Sequence, residues 1–118
     1  MTPEAMEALV RRAQGASLQD FDFVRDFLEA LNAAVSGKVG PVNLSALVSM
    51  EAALALADSV LPGWMIVLER SSGWRCTLRE SGMRDDDELI GVSAASTPAL
   101  ALLGALLAVE ARRARGYS

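Results

Sequence analysis

The sequence predicts an α+β domain. Three helices precede a short antiparallel sheet of two or three strands and a last helix follows, in the order αααββ(β)α. Three observations predict it. Before Pro62 and Gly63, apolar residues recur every three or four positions, as in helices with one buried stripe. After that pair the rhythm is that of extended chain: Trp74, Cys76 and Leu78 fall on one parity, Arg75, Thr77 and Arg79 on the other. Beyond Thr97 and Pro98 the helical rhythm returns in an Ala/Leu-rich segment.

The first helix is expected over 3–14. Thr2 caps it, Pro3 suits the first turn, Glu4 and Glu7 favour its positive end, and Met6, Leu9, Val10 and Ala13 form its apolar stripe. Gly15 stops it. The second helix is expected from Ser17, where Ser17, Leu18, Gln19 and Asp20 have the spacing of a capping box. Phe21, Val24, Leu28, Leu31 and Val35 share its face, widened by Phe27, Ala30 and Ala34, until Ser36 and Gly37 end it. The third helix starts near Asn43 or Ser45 and runs unbroken to Pro62 and Gly63, with Leu47, Met50, Leu54 and Leu61 on one side and Ala53 and Ala57 beside them.

Residues 64–68 (Trp-Met-Ile-Val-Leu) are apolar on both parities, the pattern of a strand covered on both faces. Ser71, Ser72 and Gly73 form a hairpin turn into the strand at 74–79, where Trp74 is read as a cross-strand neighbour of Trp64. Ser81 and Gly82 break that strand, and 84–88 is a charged loop. A third strand is expected over 89–93, weakened by Gly91. In the last helix, Leu100, Leu103, Leu107 and Ala111 form one stripe and Leu102, Leu106 and Val109 another. Such a helix is either central in the domain or shared with a second subunit. Arg112, Arg113 and Arg115 sit at its negative end.

The length of 118 residues suits one domain, 1–118. An apolar share of 52% with 22% charged excludes a disordered chain. A single cysteine excludes an internal disulfide, and the lack of histidine removes the commonest general base and metal ligand. A net charge of −4 argues against a nucleic-acid surface. Mean hydropathy is +0.28, yet the longest apolar run, 99–109, has 11 residues. A membrane span needs about 20. The acidic start and the unpaired cysteine suit a reducing cytoplasm.

Candidate sites each have a bland reading. Asp85, Asp86, Asp87 and Glu88 are four consecutive carboxylates that suit Ca²⁺ or Mg²⁺, but without the alternate spacing of an EF-hand loop, and a solvated loop is favoured. Arg75, Arg79 and Arg84 form a basic patch for phosphate, or pair with Glu69, Glu80 and Asp85; pairing is favoured. Cys76, on the apolar parity, reads as a core residue rather than a nucleophile. Trp64 and Trp74 read as core rather than as a stacking platform. A Ser–Lys dyad would need Lys38, the only lysine, in a loop with no sign of burial; residues 37–40 lack the Walker spacing. No catalytic, cofactor or metal residue is assigned.

Residues 52–64, the Gly73–Trp74 pair and residues 96–113 resemble small phage and prophage proteins of the phage ABA sandwich type, in an alphaproteobacterial style, and residues 1–9 resemble the start of such proteins. The likeness covers about two thirds of the chain and implies an α-β-α layered fold and a mobile-element origin, with no activity attached. Residues 17–43 depart from it as a helical insertion. The function expected is that of a non-enzymatic phage or prophage accessory protein acting through self-association or a phage or host protein partner. Its motivation is apolar surface on 97–115 and 17–35 in excess of what a small sheet covers. A nucleic-acid module using Arg75, Arg79 and Arg84 is the alternative, and a metal-assisted enzyme using Asp85, Asp86, Asp87 and Glu88 the second.

Overall fold

A helix apolar around most of its circumference must be enclosed, and the fold is organised around that requirement. The computed structural model describes residues 1–80 and 89–116. Its elements are α1 (Pro3–Ala13), α2 (Phe21–Val35), α3 (Ser45–Val48), α4 (Met50–Val60), β1 (Met65–Arg70), β2 (Trp74–Arg79), β3 (Ile90–Ala95) and α5 (Pro98–Ala114). The class and the order are those expected, with the third strand present. α5 is central rather than shared. Both of its stripes are buried, by β2 and β3 on one side and by α1, α2, α3 and α4 around the rest.

The caps explain where the helices begin. Thr2 accepts from the Ala5 amide at 3.1 Å and Thr97 from the Leu100 amide at 3.2 Å, each just before a proline at the first helical position. α2 starts later than expected. Asp20 is its cap, accepting from the Phe23 amide at 3.1 Å, while Ser17 closes a turn to Gln19 instead. The buried face is set accordingly: Phe23, Phe27, Ala30 and Leu31 are fully enclosed, whereas Phe21 stands 82% exposed. The expected third helix is two helices. Ser49 leaves helical geometry (φ −124°, ψ 117°), and its hydroxyl caps α4 through the Ala52 amide at 3.2 Å. The phase shifts at that break, so Ala53, Leu56, Ala57 and Val60 face the core and Leu54 is half-buried.

The sheet is antiparallel in the order β1-β2-β3. Arg70 opposite Trp74 closes the hairpin, and Ile66, Val67 and Leu68 oppose Leu78, Thr77 and Cys76. Among the described residues, helices lie on one face of the sheet only. There Cys76, Leu78, Ser93 and Ala95 are buried against α5, and two glycines let the layers close up. A Cβ on Gly91 would overlap the Ala105 carbonyl, and one on Gly104 would overlap the Ser93 hydroxyl. Gly91 therefore belongs in the strand. Among the described residues the layers are thus sheet, α5, and the remaining helices, an α+β arrangement of the class expected.

Candidate functional site

Strand alternation places Met65, Val67 and Glu69 of β1, Arg75, Thr77 and Arg79 of β2, and Ile90, Val92 and Ala94 of β3 on the face away from α5. They form three rows across the strands: Met65–Arg79–Ile90, Val67–Thr77–Val92 and Glu69–Arg75–Ala94. Met65 is 48% exposed, Val67 38% and Val92 39%. This face is therefore an apolar surface carrying two arginines on its central strand and one carboxylate at a corner. Most of the apolar surface expected to remain free on 97–115 and 17–35 is instead buried within the chain; Phe21 stands exposed, and Leu18 and Leu28 are half-buried. Residues 64–68, expected to be covered on both faces, hold an edge position. Even Ile66 and Leu68, which point toward the helices, are only half-buried, while Leu78 and Cys76 beside them are fully buried.

Arg75 and Arg79 lie on one face as expected, and Arg75 stands opposite Glu69. Arg84 and the carboxylates Asp85, Asp86, Asp87 and Glu88 lie outside the described residues, so the third arginine and the cation loop have no placement. Among the described residues no group of three or more metal-ligating acidic or cysteine side chains converges. The two tryptophans are not cross-strand neighbours. Trp64 precedes β1 and lies under the Arg113 guanidinium at 5.6 Å; Trp74 is at the other end of the hairpin, under Arg70 at 5.9 Å. Both are half-buried. Cys76 is fully enclosed, and burial pushes its thiol up to about 12. It is protonated at neutral pH, the form in which a thiol is a poor nucleophile.

A charged cluster escaped the sequence reading. Glu110 is 7% exposed on α5 and holds Lys38 and Arg113, each at 3.3 Å. Lys38 thereby ties the loop after α2 to the central helix. The signal was legible: Glu110 follows Leu103 and Leu107 at helical spacing, so a carboxylate stands on an apolar stripe. Arg112 donates to the Ile90 carbonyl at 3.3 Å, and Arg115 donates to Glu7 at 3.2 Å, joining the end of α5 to β3 and α1. These arginines act across elements as well as on the helix end. The hydrogen bond from Arg115 holds the Glu7 carboxyl below its usual range.

A cleft of about 590 Å³ opens at the hairpin end of the sheet, lined by Gln14, Arg70, Trp74, Arg75 and Ser96 among others. It merges with the open face at Arg75 and is an extension of that surface. No described helix is long and apolar enough to cross a membrane. Comparison with protein-family models, with curated proteins and with solved structures finds no match for the chain.

Proposed function

We propose that the protein is a non-enzymatic accessory protein of a phage or prophage, working in a reducing cytoplasm by association with itself or with a phage or host protein, and that the sheet is its working surface. The observation that carries the associative part is the exposed apolar face of Met65, Val67 and Val92 on an otherwise well-filled domain. The mobile-element origin rests on the sequence resemblance alone. Sedimentation velocity across the micromolar range tests self-association. The expected result is a species at a multiple of 12.5 kDa whose population falls in Val67→Asp. A monomer at every concentration removes self-association from the reading.

One observation favours a second reading. Arg75 and Arg79 flank Thr77 on the same open face, an arrangement able to meet phosphates. Fluorescence polarisation with generic DNA and RNA tests it. Phosphate-driven binding would weaken steeply as salt rises, and a flat titration at low salt ends it.

A further inference from the structure

Residues 65–68 pose a contradiction. Met-Ile-Val-Leu has the composition of a central strand, apolar on both parities, yet β1 is the edge of the sheet. Edge strands in stable monomers are ordinarily blunted by a lysine, a proline, a bulge or an inward-pointing charge. The first four residues of β1 carry none of these, and their pairing with β2 is continuous. Each is exposed or half-buried. We propose that β1 pairs antiparallel with β1 of a second copy about a two-fold axis at Val67, giving one continuous six-stranded sheet from two three-stranded ones. The proposal rests on the self-association reading above and specifies its geometry.

The register follows from what each row would contain. An axis at Val67 sets Met65 opposite Glu69 of the second copy and Ile66 opposite its Leu68. On the open face the row then runs Arg75, Glu69, Met65 of the second copy, Arg79 of the second copy, so Glu69 keeps Arg75 as its neighbour and no two like charges come side by side. On the helix-side face the row runs Leu78, Ile66, Leu68 of the second copy, Cys76 of the second copy, an unbroken apolar band that covers the half-exposed Ile66 and Leu68. Arg70 comes opposite Trp64 of the second copy, a cation over an indole. Moving the axis to Leu68 sets both charged residues against aliphatic side chains, Glu69 against Val67 and Arg70 against Ile66, where the axis at Val67 does so only for Glu69. A slip of one residue turns the apolar side chains to the wrong faces. A second copy fits because β1 concentrates its charges at one end, so reversal sets Ile66 on Leu68 and Val67 on Val67 at the centre and keeps the charged ends of the two strands apart.

Cysteine cross-linking tests the arrangement in the full chain. The native Cys76 is enclosed, which leaves an introduced thiol as the reactive one. Val67→Cys places two thiols face to face on the axis, and mild oxidation is expected to convert it almost wholly to a covalent dimer. Met65→Cys with Glu69→Cys in one chain is expected to cross-link equally well, and Val92→Cys, two strands from the axis, at least tenfold less. A dimer in sedimentation with no Val67→Cys cross-link overturns the β1 pairing and leaves self-association standing. Preferential cross-linking of Val92→Cys also overturns it, assigning the contact to stacked sheet faces. A monomer in sedimentation and no cross-link in any variant removes both. Circular dichroism matching the wild type shows that each variant is folded.

Discussion

α5 and β1 are both apolar on nearly every side, and the fold treats them in opposite ways. α5 has twelve of its 17 residues buried, enclosed by strands on one flank and helices on the others. β1 is a strand of 6 residues, β2 is its only strand neighbour among the described residues, and none of its side chains is fully buried. The contrast teaches that one composition can serve two purposes. In α5 it supplies the core of the single chain; in β1 it is held at the boundary of the sheet, partly open to solvent.

The largest expected effect breaks the comparison at its buried end. Leu103→Ala, at a fully enclosed site, should cost about 2–5 kcal/mol of unfolding free energy, measured by urea denaturation of dilute protein. Val67→Thr, at an exposed site on β1, should leave the dilute protein's midpoint within about 0.5 kcal/mol of wild type. Equal losses at the two sites would dissolve the contrast. Next comes the seam between the regions. Gly91→Ala drives a methyl group into the backbone of α5 and should cost about 1–3 kcal/mol in the same assay. An unchanged midpoint would mean that the layers are not in close contact there.

The smallest effect is electrostatic and concerns the helical side alone. Glu7 is held below its ordinary value of 4.5 by the hydrogen bond from Arg115. A carboxyl depressed in the folded state contributes stability above the unfolded value and loses it as pH falls through the depressed folded one. Thermal melts should therefore drop less for Glu7→Gln than for wild type as the medium is acidified below about pH 4.5, with a small difference because the pair is solvent-exposed. Parallel curves would show that the contact is not maintained in solution.

Most of the architecture was legible because it is written in short-range chemistry. Thr2 and Thr97 before prolines, Gly37 and Gly63 after helices, and the strict alternation of 74–79 each act within a few residues of themselves. Ser49 was missed for the opposite reason: a lone serine among good helix formers breaks the helix through an extended backbone and a side-chain cap that no periodicity announces. Periodicity around Ser17 suffered similarly, since Asp20 offered a competing cap three residues on. The site was less legible than the fold. The alternation put Arg75 and Arg79 on one face, but whether a helix covers that face depends on packing between distant segments. The apolar parity of 64–68 implied cover on both sides, and the single chain provides only partial cover on one.

The ion pair on α5 has a practical corollary for handling the protein. Lys38 is the only lysine, and its ammonium is a counter-charge to the enclosed Glu110 carboxylate. Acylating reagents aimed at lysine side chains would therefore neutralise that ammonium rather than decorate an idle surface, leaving Glu110 to Arg113. Dyes and tethers are better attached through a thiol introduced at Ala55, on the outward side of α4.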